Sequence, residues 1–115
     1  MNRKFILAGI LSVISLSSNV FALDLAAGKT KYESLCVSCH GNAGKGDGAA
    51  AVALNPKPRN LTDQAYMSKK TDADLAKVIK NGGGAVGLSA SMPPWGSSLS
   101  DGDIANVIGY IRNLK

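Results

Sequence analysis

The segment that most constrains this chain is Cys36-Val37-Ser38-Cys39-His40, a C-x-x-C-H sequence. This spacing is the attachment signature of a c-type haem. Two thiols three positions apart on a helical turn can reach the two vinyl groups at one edge of a porphyrin, and thioether bonds then hold the ring against the helix. His40 follows directly and can approach the iron from the proximal side. We therefore predict one covalently bound haem c, attached to Cys36 and Cys39, with His40 as proximal iron ligand.

Three other sites could use the same cysteines, and each fits the sequence less well. A thioredoxin-like dithiol needs a βαβ setting that this chain lacks. A structural zinc site needs four ligands, and the chain offers two cysteines and a single histidine. A disulfide between Cys36 and Cys39 would close a very short loop and add little stability.

The beginning of the chain resembles an export signal. A short basic start, Asn2-Arg3-Lys4, precedes an uncharged apolar run from Phe5 to Leu16, and Val20-Phe21-Ala22 supplies a small-x-small cleavage pattern. We predict that residues 1–22 are a signal peptide that is cleaved, leaving residues 23–115 in the periplasm with no stable membrane insertion. The alternative, a retained membrane anchor, is disfavoured by Ala22 and by the lack of a second apolar block.

Composition sets the size of the core and the class of partner. With 115 residues the chain forms one domain at most, and aromatic residues make up 5% of it. A core this poor in large side chains suggests that a non-protein group fills its centre. The formal charge is +5 at pH 7, without the basic stripe of a nucleic-acid-binding protein. A modest positive charge instead favours docking on acidic protein partners.

Apolar periodicity predicts three helices separated by glycine- and proline-rich loops. The first runs from about Ala26 to Cys39, the second from Asp72 to Lys80 behind the N-cap Thr71, and the last begins after the N-cap Ser100. Short helical pieces are expected near residues 49–54 and 66–68. No segment alternates with a period of two, so we predict an all-α fold, with three main helices and loops wrapped around one haem.

Two methionines outside the signal peptide could supply a second, distal iron ligand. Met92 lies in Ser91-Met92-Pro93-Pro94-Trp95, where the prolines restrict the loop before the last helix. Met67 lies in a polar stretch and is expected to pack on the surface of the core. We predict Met92 as distal ligand, and an open or water-bound iron is the remaining alternative.

These residues resemble class I cytochromes c, the family of small monohaem electron carriers, over residues 24–115. Gly28 and Tyr32 precede Cys36 as a glycine and an aromatic residue do on the family's first helix. Val107 and Tyr110 look like the contacts that the family's last helix makes with the first. Gly44-Lys45-Gly46-Asp47-Gly48 and Met92-Pro93-Pro94-Trp95-Gly96 are similar to short bacterial carriers and to cytochrome domains of larger enzymes.

The resemblance implies further roles around the haem. Met92 matches the late loop from which the family's distal methionine comes, and Pro58, rather than Pro56, would supply the carbonyl that holds the second nitrogen of His40. Trp95 would either donate its indole N–H to a propionate or pack the methionine loop, and Arg59 would either pair with a propionate or remain a solvated charge. Five lysines would surround the exposed haem edge: Lys45, Lys69, Lys70, Lys77 and Lys80.

The function implied is the transfer of single electrons between periplasmic redox proteins by a monomer that is not itself an enzyme. Two alternatives stay open. The chain could be a dedicated cytochrome subunit of one periplasmic oxidoreductase. A five-coordinate haem protein that binds gas or reduces peroxide is the other, and it would need Met92 to lie away from the iron.

Overall fold

The computed structural model describes residues 8–15 and 22–115, and within these ranges the chain contains helices and no strands. The prediction of an all-α fold is therefore confirmed. Most of the predicted signal peptide, residues 1–22, lies outside the described residues, and its cleavage remains a prediction. No helix in the part of the chain that the structure describes is long and apolar enough to cross a membrane.

The described helices follow the predicted order. They are α1 (Leu25–Leu35), α2 (Val37–His40), α3 (Gln64–Met67), α4 (Asp72–Asn81) and α5 (Asp101–Arg112), with 3₁₀ turns at Ala51–Ala53 and Gly84–Val86. The three long helices correspond to the three predicted ones. The pieces at Ala51–Ala53 and Gln64–Met67 fall where short helical pieces were expected, whereas the turn at Gly84–Val86 was not predicted.

The first predicted helix is interrupted at Cys36. Its backbone (φ −114°, ψ −29°) stays in the right-handed helical region but departs from the ideal φ of an α-helix, and α1 ends at Leu35 while α2 begins at Val37. Two backbone carbonyls of α2 accept hydrogen bonds from the loop that follows it. Gly48 N–H donates to the carbonyl of Cys39 (3.0 Å), and Ala50 N–H donates to the carbonyl of Ser38 (2.8 Å). The prediction of one continuous helix is wrong here, since these tertiary bonds set the direction of the short helix that carries the C-x-x-C-H motif.

Helices α1 and α5 cross in close contact at Gly28. A side chain there would collide with the backbone carbonyl of Asn106, so the absence of a Cβ permits the approach. Nearby, the rings of Tyr32 and Tyr110 lie 5.3 Å apart, and Tyr32 is fully buried. The contacts implied by the resemblance are present in the structure.

Both α4 and α5 begin with a capping box. The side chain of Thr71 accepts from Asp74 N–H, and Asp74 accepts from Thr71 N–H; Ser100 and Asp103 repeat the pattern. Helix α4 ends at Gly82, whose φ of +82° favours glycine. These local signals explain why the predicted bounds of both helices are close to the observed ones.

The helices enclose a small core that is open on one side. Its buried side chains are Tyr32, Met67, Ile79, Leu99, Ile104, Val107, Ile108 and Ile111. Several of them also face a central cavity, which holds the predicted site.

Candidate cofactor site

A cavity of about 760 Å³ occupies the centre of the domain. Its size is that of a small-molecule or cofactor site, for which volumes of about 300 to 1,000 Å³ are usual. Apolar side chains form much of its wall, among them Leu35, Leu54, Leu75, Val78, Val107 and Ile111. All four predicted site residues, Cys36, Cys39, His40 and Met92, line this one cavity. A group the size of a haem fits both the space and the chemistry of these side chains.

The two cysteines are free thiols on the α2 side of the cavity. Burial, and then the nearby Cys39, raise the pKa of Cys36 to about 11. This thiol is therefore neutral at physiological pH. Redox exchange needs a thiolate, so the environment of Cys36 argues against the dithiol alternative.

His40 is held by one hydrogen bond that determines its tautomer. Its Nδ1 lies 3.1 Å from the carbonyl oxygen of Arg59. A carbonyl can only accept, so Nδ1 carries the proton and Nε2 keeps a free lone pair. Burial lowers the pKa of His40, and the bond to Arg59 offsets part of this effect. The result is a neutral imidazole with an unprotonated nitrogen, the form that binds a metal.

The carbonyl that His40 meets belongs to Arg59, so the prediction of Pro58 or Pro56 is wrong. The carbonyl of Pro58 instead packs against Gly46, where a side chain would collide with it. The Pro58 carbonyl is thus turned toward Gly46, and the next carbonyl along the chain is the one that faces His40.

Met92 reaches the cavity from a loop that is bonded to the end of α4. Its carbonyl accepts from Gly83 N–H (2.9 Å), and Trp95 N–H donates to the carbonyl of Ile79 (2.9 Å). Gly96 N–H adds a third bond to Lys80, at 3.0 Å. Together with the two prolines, these bonds restrict the loop on both sides of Met92.

Met67 also lines the cavity, which the sequence did not predict. It is 2% exposed and belongs to the core, so the expectation that it packs on the core surface is wrong. The reason lies in α5, where the Arg112 guanidinium donates to the carbonyls of Met67 (2.8 Å) and Lys70 (2.6 Å) and draws α3 inward. The neighbouring lysines made this segment look like a surface segment.

Tyr66 is a second wall residue that sequence reasoning passed over. The Arg59 guanidinium lies 3.9 Å from the centre of its ring, and the Lys70 ammonium lies 5.2 Å from it. Arg59 lines the cavity and is exposed to solvent. Because its guanidinium lies over the Tyr66 ring, it is a stacked rather than a freely solvated charge. No local pattern links residues 59 and 66, because the fold brings them together.

The remaining predicted residues have mixed positions. Trp95 lines the cavity and packs against the core. Lys80 forms an ion pair with Asp101 at 2.9 Å, on an exposed surface. Among the described residues, the lysine that lines the cavity is Lys57, which was not one of the five suggested for the haem edge.

Comparisons with known proteins place the chain among related sequences. The family described as "Cytochrome C oxidase, cbb3-type, subunit III" matches residues 23–111. Cytochrome c-554(547) of Halothiobacillus neapolitanus is 37% identical and covers 80% of this chain and 98% of its own length. Cytochrome c6 of Picosynechococcus sp. is 32% identical, covering 89% of this chain and 83% of its own length.

Two further similarities concern a larger protein and a solved structure. The CcoP subunit of the cbb3-type cytochrome c oxidase of Azospirillum brasilense is 33% identical over 86% of this chain. The chain spans about a third of the length of that subunit, 32%. The solved structure of the KustC0563 c-type cytochrome superposes with a TM-score of 0.64, at 20% identity, over 76% of this chain and 96% of its own. That likeness shows the fold.

Proposed function

The chain belongs to the c-type cytochrome family, and on this premise we propose that it works as a free periplasmic carrier between redox proteins. It carries covalently bound haem c and transfers electrons, as its relatives c-554(547) and c6 do. The observation that supports the free-carrier form best is the c-554(547) relative, which this chain matches over 98% of the relative's length.

Four residues are proposed to hold the haem. Cys36 and Cys39 form the thioether bonds, His40 binds the iron through Nε2, and Met92 binds it through its thioether sulfur. The shared cavity, the tautomer set by the Arg59 carbonyl and the bonded loop around Met92 support this assignment.

The chain's own residues prepare the site for electron transfer with little rearrangement. Haem, when bound, supplies a one-electron couple between ferric and ferrous iron. The Arg59 carbonyl keeps the His40 imidazole in one orientation in both oxidation states. The restricted loop holds the soft sulfur of Met92, a ligand type that favours the reduced state and raises the potential. Apolar walls exclude water, which keeps the surroundings of the iron constant.

The charge and the N-terminal sequence of the chain support a proposal for its location and partners. We infer that residues 1–22 direct export and are then removed, that residues 23–115 form the mature domain, and that this domain is a monomer without catalytic activity of its own. The +5 charge of the full chain and the exposed Lys57 and Arg59 at the cavity support docking on acidic surfaces of redox partners.

A bound oxidase-type subunit is the second candidate. The matched family and the CcoP relative support it, since both describe cytochrome segments of a cbb3-type oxidase. A free carrier should elute from a gel-filtration column as a monomer when taken from its native periplasm. Persistent co-elution with an oxidoreductase would favour the bound subunit instead.

Optical spectroscopy of the exported holoprotein tests the site. We expect sharp low-spin bands on reduction, a weak ferric iron–sulfur charge-transfer band, and no response to carbon monoxide. Met92→Ala should abolish the charge-transfer band and lower the reduction potential, whereas Met67→Ala should keep the band. A high-spin spectrum that shifts with carbon monoxide would favour the gas- or peroxide-binding alternative, and loss of the band in Met67→Ala alone would reverse the ligand assignment.

A further inference from the structure

Arg59 connects the cavity wall to the proximal histidine through its two ends. Its backbone carbonyl accepts from His40 Nδ1–H at 3.1 Å, and its guanidinium lies 3.9 Å from the centre of the Tyr66 ring. A cation this close to an aromatic face is attracted by the ring. Whatever fixes the Arg59 side chain therefore also limits how far its carbonyl can move.

Arg59 is exposed, lies between the half-buried Pro58 and Asn60, and belongs to no helix. Its nearest anchors are the Pro58 carbonyl packed on Gly46 and the bond from Leu61 N–H to the Gly44 carbonyl, at 2.6 Å. These two anchors act on the residues on either side of Arg59. The stack on Tyr66 acts on Arg59 itself.

Tyr66 is a well-fixed platform for this stack. Its backbone N–H donates to the N-cap side chain of Asp63 at 3.3 Å. One residue later, the Met67 carbonyl accepts from Arg112 of α5, which ties α3 to the longest helix of the domain. The position of the half-buried ring is thus set by the N-cap of its own helix and by one residue of α5.

We propose that Tyr66 is a positioning residue for His40: its ring holds Arg59 in place, and the Arg59 carbonyl thereby keeps the proximal imidazole oriented and electron-rich. This inference rests on the proposed role of His40 as iron ligand. A strong Nδ1–H bond makes the imidazole a better electron donor and favours the ferric state. Loosening Arg59 should therefore raise the reduction potential and expose the Nδ1 proton to solvent.

The test uses the holoprotein with Tyr66→Leu and two readouts. The exchange rate of the His40 Nδ1 proton, followed by proton NMR in the ferrous state, should rise severalfold or more. The reduction potential should rise by an amount that corresponds to a severalfold change in the equilibrium constant for reduction. A tenfold change in that constant corresponds to about 59 mV for one electron. Tyr66→Phe keeps the ring and should behave like the unmodified protein on both readouts.

Two controls separate positioning from other effects. Ile108→Val removes a methylene group from a buried α5 side chain that does not line the cavity, so it lowers stability without moving either readout. Lys70→Met removes the other cation near Tyr66 and measures the effect of charge alone. Proton exchange should stay unchanged in both controls.

A double-substitution experiment tests whether Tyr66 acts on His40 through Arg59. Arg59→Ala removes the stack but keeps the carbonyl, so it should also speed Nδ1 proton exchange, and adding Tyr66→Leu should then change exchange no further. If Tyr66→Leu does not fold, faster exchange in Arg59→Ala still supports the proposal, and unchanged exchange there overturns it. Unchanged exchange and potential in a low-spin Tyr66→Leu protein overturn it as well, while the proposed function stands. A spectrum without histidine ligation in the unmodified protein would instead remove the proposed function.

Discussion

At Gly28 the backbones of α1 and α5 approach too closely for any side chain. Gly28→Ala places a methyl group against the Asn106 carbonyl, which belongs to a helix and cannot turn aside. We expect a loss of about 1–3 kcal/mol or more in unfolding free energy, the range for overpacking. Urea unfolding of the holoprotein measures it.

Gly102 supplies the matched control on α5. A methyl group there would meet nothing closer than the Ser100 hydroxyl at 3.7 Å, an ordinary contact. Because alanine restricts the unfolded chain more than glycine, Gly102→Ala should add about 0.4–1 kcal/mol. Equal effects at Gly28 and Gly102 would mean that the close crossing does not limit side-chain size.

Residue-level errors of the sequence analysis have a common physical cause. The roles predicted for Cys36, Cys39 and His40 follow from their spacing, and both the neighbouring prolines and the family resemblance pointed to Met92. The acceptor for His40 depends instead on which way one peptide group turns, and the contact between Gly46 and Pro58 decides that. The burial of Met67 likewise depends on Arg112, a residue 45 positions away.

At the scale of elements, the capping boxes make α4 and α5 sensitive to acid. Hydrogen bonds from the Ser100 backbone and side chain lower the pKa of Asp103, and those from Thr71 do the same for Asp74. A carboxyl whose pKa is lower in the folded state stabilises the fold above its ordinary value near 3.8 and loses this effect as pH falls through the folded-state pKa.

Asp103→Asn tests this pH dependence. The variant should be less stable than the unmodified protein at pH 7, and the difference should shrink as pH falls below about 4. Urea midpoints at pH 7, 4 and 3 measure the gap, and effects of acid on the haem are shared by both proteins. A gap that stays constant over this range would show that the Asp103 carboxylate does not stabilise α5.

The helix bounds show where local signals suffice. Both α4 and α5 could be predicted closely because their caps, first-turn acids and terminal glycine act within a few residues. The break at Cys36 was missed because the apolar spacing of Tyr32, Cys36 and Cys39 continues across it. What bends the chain there is the loop at Gly48 and Ala50, which bonds to the carbonyls of α2.

At the scale of the whole molecule, Arg112 joins three helices. It donates to the carbonyls of Met67 and Lys70 and pairs with Asp72 at 3.0 Å, with its side chain 30% exposed. Arg112→Gln leaves partly buried carbonyls without a donor, a loss of about 1–3 kcal/mol. Thermal unfolding of the holoprotein measures it.

The exposed pair Lys80–Asp101 is the comparison for Arg112. Its side chains are 50% and 83% exposed, and such pairs contribute about 0–1 kcal/mol. Lys80→Gln should therefore cost clearly less than Arg112→Gln. If the two substitutions lower the melting temperature equally, the carbonyl bonds of Arg112 add nothing to an ordinary surface pair.

The cavity makes stability depend on the cofactor. Apolar side chains such as Leu35, Leu75 and Val107 line its wall, and without the haem they would lose their packing partner. A typical domain is stabilised by only roughly 5–15 kcal/mol. The double variant Cys36→Ser/Cys39→Ser, produced without attached haem, should therefore lose cooperative urea unfolding and its near-ultraviolet dichroism.

A single Cys36→Ser variant, still attached through Cys39, is the control for that experiment. It should unfold cooperatively, because the haem continues to fill the space. A double variant that unfolds as sharply as the holoprotein would show that the helices form a complete core by themselves.

The crossing of α1 and α5 also sets an order in time. Asp24 N–H donates to the Asn106 side chain across 82 positions of sequence, so the first helix lacks its contacts with the last one until that helix has been synthesised. A ribosome makes the chain from its N-terminus, and the motif at residues 36–40 therefore emerges long before the domain can close around it. Chains that stop before residue 101 lack α5 and cannot form this crossing, so the face of the first helix that packs on α5 stays uncovered.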